Sequence, residues 1–164
     1  MLTFLDPRQV VINVARSLLW VRETDGANRG EVVDQMVRGT GLKPEGAYPW
    51  CAAYVAYVGR AALGQKGWPL KAWAGCVSLH DEAQTLGMLS TTPTTGAIFL
   101  QYGKAGDGKY RYRHTGFVTA DLGDGLWQTC EGNTNEAGSP EGVGVFERER
   151  RFGKLDRFIH WWNP

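Results

Sequence analysis

Cysteine is scarce in this chain and odd in number: Cys51, Cys76 and Cys130 are three, so they cannot all pair within one molecule. They form neither a disulfide framework nor a Cys-x-x-Cys metal motif, and a reduced compartment during synthesis is the simpler expectation. An excess of one charge is also missing. The balance of 18 basic against 17 acidic residues excludes a nucleic-acid binder that relies on a large basic surface. Long apolar runs are absent from the N-terminal segment, which Asp6, Arg8, Arg16 and Arg22 interrupt. That segment is expected to be neither a signal peptide nor a membrane span. No repeat, low-complexity tract or linker marks a boundary, so residues 1–164 are expected to form one domain with a core of its own.

What is present divides into two halves. Asp6-Pro7 offers an N-cap and a first-turn proline, and Val10, Val11, Val14 and Leu18 continue as one helical stripe. Asn28 with Glu31 resembles a capping box opening a second helix through Val32, Val33, Met36 and Val37. A third helix is expected from about residue 50 to 63, and a short fourth one opened by Ser78 and Asp81 and closed by Gly87. Further on, residues 97–102, 114–119 and 126–131 are short, aromatic and β-branched, with Gly-Asp and Asp-Gly turn signals at 106–108 and 123–125. Residues 143–146 and 157–160 read as two more strands. Helices followed by antiparallel strands make an α+β chain.

The chemistry centres on Tyr48-Pro49-Trp50-Cys51-Ala52-Ala53. Pro49 pre-sets a helix start, which puts Cys51 in the first turn, where the macrodipole favours the thiolate. A buried structural cysteine is the alternative. A thiolate nucleophile needs a base, and the base needs an orienting partner. His80 falls on a polar helix and His160 between Ile159 and Trp161, whereas His114 opens a strand beside a Gly-rich hairpin, with Thr115-Gly116 keeping the adjoining backbone slim. If the 114 and 126 strands pair across residues 121–125, Glu131 falls beside the His114 end of its neighbour. Either Glu131 or Asn133 would then bond the ring N–H and fix its tautomer.

The order Trp50-Cys51-Ala52-Ala53, His114-Thr115-Gly116, Glu131-Gly132-Asn133-Thr134 resembles the cysteine- and histidine-dependent amidohydrolase/peptidase (CHAP) family. The segments Glu23–Gly30 and Arg148-Glu149-Arg150 are similar to stretches of that family as well. The resemblance spans about residues 10 to 160 and implies a papain-like fold, N-terminal helices packed on an antiparallel sheet of about five or six strands. By resemblance Cys51 would be the nucleophile, His114 the base and Glu131 the orienter, with Asn133 close behind. Two departures stand out. Gly96-Ala97 replaces a common Gly-Asp, and residues 43–47 hold a single acid, Glu45, too few oxygens for the calcium loop of some phage members. Neither metal nor cofactor is expected.

The resemblance further implies peptidoglycan as substrate, cut between sugar and stem peptide or within the peptide, by a phage lysin or an antibacterial effector. Tyr48 is a candidate oxyanion donor. Arg113, with Lys104, Lys109 and Arg111, would hold stem-peptide carboxylates, and Trp50, Trp68 and Trp73 would line a cleft. A monomer is expected, made in the cytoplasm and reaching the wall through a holin-type permeabilising partner or by injection, the latter with an immunity protein. No membrane insertion is expected. The rival readings are a papain-like acyltransferase, deamidase or protease toxin acting on protein, and a wall-binding module without activity.

Overall fold

The computed structural model describes residues 6–137 and 142–162. Among them are four α-helices, a 3-10 turn and six strands, with the helices N-terminal and the sheet C-terminal, an α+β arrangement. Helix α1 (Pro7–Ser17) starts as its sequence requires, the Asp6 carboxylate accepting the Arg8 N–H at 2.9 Å. Its core face is turned slightly from the expected stripe, so that Val11, Ile12 and Ala15 are buried while Val10 and Val14 sit at the margin. Helix α2 (Glu31–Arg38) buries Val33, Met36 and Val37. The expected cap does not form, because Gly30 occupies the N-cap position. Asn28 instead adopts left-handed φ (58°), gives its backbone N–H to Glu23 and gives its side-chain amide to the Ala47 carbonyl.

Helix α3 (Cys51–Gly67) is the central element. Eight of its first nine residues are buried, which fits a helix apolar on every side, and its regular path breaks at Gly64 (φ 74°). Helix α4 (Cys76–Thr85) begins earlier than expected, with Gly75 as its cap and Cys76 as its first residue. His80 therefore lies in its second turn, stacked 4.3 Å from the Tyr112 ring.

The sheet runs in the order β1-β6-β2-β3-β4-β5, each neighbour antiparallel. Strands β2 (Ile98–Lys104), β3 (Tyr110–Gly123), β4 (Leu126–Thr134) and β5 (Gly144–Arg150) form a meander. Strand β6 (Arg157–Ile159) returns to the free edge of β2 and is bordered by the short β1 (Leu89–Ser90), which composition did not signal. The strands outrun the apolar segments that announced them. β3 begins at Tyr110, so His114 sits inside a strand rather than at its opening. The reason is that ladder hydrogen bonds extend through the half-buried Tyr-Arg-Tyr-Arg arm of the hairpin, where no continuous core pattern is needed.

The main core lies where α1, α2, α3 and α4 meet the sheet, with Ile98, Leu100, Phe117, Cys130 and Val145 among the strand contributions. A smaller cluster of Ala97, Phe99, Val118 and Phe158 forms separately. Helix α3 approaches β4 at Gly132, where a Cβ would lie 2.6 Å from Tyr54 Cβ and 2.8 Å from Trp50 Cζ3. No helix among the described residues is long and apolar enough to cross a membrane. Gly132→Ala is expected to cost about 1–3 kcal/mol of unfolding free energy through overpacking, read as a lower urea midpoint. An unchanged midpoint would mean that α3 can withdraw without loss.

Candidate active site

The start of α3 is braced before it contributes any chemistry. Trp50, its N-cap, is fully buried and gives its indole N–H to Glu23 at 2.9 Å. Glu23 also receives the Asn28 N–H at 2.8 Å, and Asn28 reaches the Ala47 carbonyl at 3.1 Å. The loop over residues 23–30 thus holds both ends of the segment leading to Cys51. Cys51 is the first helical residue, 3% exposed, with its sulfur 3.7 Å from Cys76 Sγ. The contact with the Cys76 sulfur, reinforced by His114 and the Ala52 N–H, outweighs burial and holds the Cys51 thiol well below the usual thiol range. Cys76 moves the opposite way, pushed well above that range by the neighbouring sulfur and by burial.

His114 is wholly buried and binds Glu131 Oε2 through Nε2 at 2.7 Å. Since Glu131 is ionised, Nε2 carries the proton and donates it. Nδ1 makes no hydrogen bond of ordinary geometry among the described residues, which leaves it as the ring nitrogen available to the Cys51 sulfur. Burial by itself would lower the imidazole, but Cys51 and Glu131 together raise it from 6.5 to about 9.

Local sheet geometry explains how Glu131 reaches the ring. The register Phe117↔Cys130, continued by one pair, sets Glu131 across from Gly116, two residues from His114 on the same face. A Cβ at Gly116 would stand 3.0 Å from Glu131 Cγ and 2.7 Å from the Cys130 carbonyl, so the glycine leaves the space through which the carboxylate leans toward His114. Both carboxylate oxygens are engaged. Thr129 Oγ1 donates to Oε1 at 2.5 Å, and the Arg150 guanidinium binds Oε1 through Nε and Oε2 through Nη2 at 2.6 Å. Burial would raise the carboxyl, but Arg150 and His114 prevail and hold it at about 2.

A groove of about 610 Å³ opens over the two sulfurs, walled by Tyr48 and Pro49, by the α4 cap Gly75 with Cys76 and Ser78 of α4, and by Lys104, Arg111, Tyr112 and Arg113 of the β2–β3 hairpin. Tyr48 is 40% exposed there. Arg111 is engaged with Asp107 at 2.8 Å, whereas Arg113 Nε finds no hydrogen-bond partner among the described residues. The tryptophans expected to line a cleft do not reach this groove. Trp50 and Trp68 belong to the core, and Trp73 gives its indole N–H to Glu82 at 2.8 Å in a separate depression. Asn133 is buried with left-handed φ (57°), and it is Glu131 that takes the His114 Nε2. Sequence reasoning missed Cys76 and Thr129. Thr129, two residues before Glu131, shares its strand face, a spacing that was readable, whereas nothing in the sequence linked Cys76 to Cys51. Among the described residues no group of three His, Cys, Asp or Glu side chains could hold a metal ion.

A buried imidazole bonded to a carboxylate, with a helix-terminal sulfur near enough for each to shift the other's titration, on an α+β scaffold, defines a thiol–imidazole–carboxylate class of site. The CHAP domain family model matches residues 43–133, over half of the chain, and the chain belongs to that family. Membership implies amidase-like or peptidoglycan-hydrolase activity in general terms. No curated protein matches the chain.

The depressed carboxyl fixes a pH dependence. Glu131 has a folded pKa of about 2 against an ordinary 4.5, so its contribution to stability is complete above 4.5 and disappears as pH falls through 2. The stability difference between wild type and Glu131→Gln, followed by urea unfolding, is expected to shrink across that interval. A difference independent of pH would contradict the ionised, fully bonded carboxylate.

Proposed function

We propose that residues 1–164 act as one papain-like catalytic domain, a cysteine hydrolase of bacterial peptidoglycan in which Cys51 is the nucleophile, His114 the general base and acid, and Glu131 the orienting carboxylate. The observation that carries this reading is the position of His114: one ring nitrogen is given to a fully ligated carboxylate, and the other is left for a sulfur at the floor of an open groove. Attack by the thiolate on an amide carbonyl forms a tetrahedral oxyanion. The backbone N–H of Cys51, an orphan donor of the first turn of α3, meets that oxyanion, and Tyr48 supplies a second donor. His114 protonates the departing amine from Nδ1, then removes a proton from water so that hydroxide releases the acyl group. Glu131 stays ionised throughout and holds the tautomer with the proton on Nε2. Asn133, buried two residues beyond Glu131 on β4, is the further polar residue that the family resemblance brings to the site.

The groove favours an acidic peptide. Arg113 and Lys104 of the groove wall offer cations to the carboxylates of a stem peptide. The bond cut is thus an amide of the stem peptide, at its sugar end or within it, and the protein acts on the wall as a lysin or an antibacterial effector. Such a route needs a holin-type permeabilising partner or an injection apparatus and an immunity protein, and no metal.

Three measurements test this. Cys51→Ala is expected to abolish release of fragments from purified sacculi, read by mass analysis, while leaving the melting curve intact. Undiminished release would refute the assignment. In wild type, kcat/KM is expected to fall on the alkaline side through about pH 9 as His114 loses its proton. Arg113→Glu is expected to raise KM for sacculi roughly tenfold or more with little change in kcat, and an unchanged KM would remove Arg113 from the substrate contacts.

A further inference from the structure

We infer that Cys76 is a working part of the site, a thiol that donates a hydrogen bond to the Cys51 sulfur and holds the nucleophile as an oriented thiolate; this rests on the reading of Cys51 as nucleophile. The geometry is specific. Cys51 and Cys76 are each the first residue of a helix, α3 and α4, and the two helices bring their N-terminal ends to the same groove floor. The sulfurs stand 3.7 Å apart, the range of an S–H···S contact and far beyond the roughly 2.05 Å of a disulfide. At 3% and 6% exposure the two residues present little surface to the groove above them, which weakens competition from water for the bond. Two buried sulfurs at this distance cannot both be ionised without strong repulsion, and their surroundings decide which one is. Both sulfurs have a backbone N–H beside them, but Cys51 also has His114, whereas among the described residues the only ionisable neighbour acting on Cys76 is Cys51. Cys76 therefore keeps its proton and donates.

The consequence is a division of labour around one sulfur. His114 moves protons to the departing amine and from water while Cys51 is acylated and uncharged. Cys76 holds the charge and the rotamer of Cys51 in the free enzyme before attack and again when the thiolate leaves the acyl group. The cost is some nucleophilicity, since a stabilised thiolate attacks more slowly.

The test is the pH dependence of Cys51 alkylation by iodoacetamide, followed by peptide mass in the whole protein without any wall substrate. Cys76→Ala is expected to raise the midpoint for Cys51 by about one to two pH units, the scale of losing one hydrogen bond to a charged group. Cys76→Ser, which keeps a donor, is expected to return part of the shift. An unchanged midpoint in a folded Cys76→Ala protein would overturn the inference, because a purely structural role affects melting but leaves the titration alone. Should Cys76→Ala fail to fold, the infrared S–H stretch decides: Cys51→Ala is expected to move the Cys76 band to higher frequency, and a band that stays put overturns the inference. The readout does not depend on hydrolysis, so retained activity in Cys51→Ala would defeat the functional reading while the alkylation profile still reports on the sulfur pair.

Discussion

Glu131 is a carboxylate with no access to water, and most of the local architecture follows from the need to satisfy it. An ionised carboxyl costs several kcal/mol to bury, and only close cations and donors on both oxygens offset that cost. Here Arg150 supplies a two-pronged guanidinium, Thr129 a hydroxyl and His114 a ring N–H. Each donor depends on a register. Arg150 stands opposite Trp127 on β5 and must reach along the sheet toward Glu131, which faces Phe146. His114 lies on β3, two residues from the Gly116 position that faces Glu131. Slipping either pairing by one residue would send these side chains to opposite faces and leave a charge buried alone.

The opposite end of the same chain of charges is a sulfur, stabilised by different means. Two helix N-termini, a second thiol and a protonated imidazole surround Cys51, so negative charge there is supported by dipoles as well as by a cation. His114 joins the two ends, and it can stay protonated far above its ordinary range because an anion lies on each side of it. The mechanical support is remote in sequence. Glu23 and Asn28 fix Trp50 and Ala47, so that the residue before the nucleophile cannot move independently of the loop over residues 23–30.

Much of this layout was legible in the chain. Pro49 before a run of small apolar residues marked the helix start that places Cys51, and Asp124-Gly125 marked the hairpin that brings β3 and β4 together. From those two signals the meeting of His114 with Glu131 followed, though the choice between Glu131 and Asn133 did not. Composition misled where a residue has two physical uses. Trp50 and Trp73 offer flat faces suited to a ligand, yet each has an indole N–H that a carboxylate satisfies, in the core for Trp50 and in a separate surface depression for Trp73. Asn28 has the chemistry of a cap, but its left-handed backbone serves a loop contact instead.

Local signals by themselves determined the α+β order, the position of a thiol at a helix terminus and the polar residues from which a relay could be drawn. These depend on near neighbours, on dihedral preference and on the period of apolar residues. Only the tertiary structure decided which carboxylate meets the imidazole, that Arg150 neutralises it, and that Cys76 arrives beside Cys51 at the floor of a groove. Those contacts join residues 17 to 25 positions apart, on strands whose register and helices whose docking are set by packing of the whole sheet, and no nearest-neighbour preference encodes the distance between them.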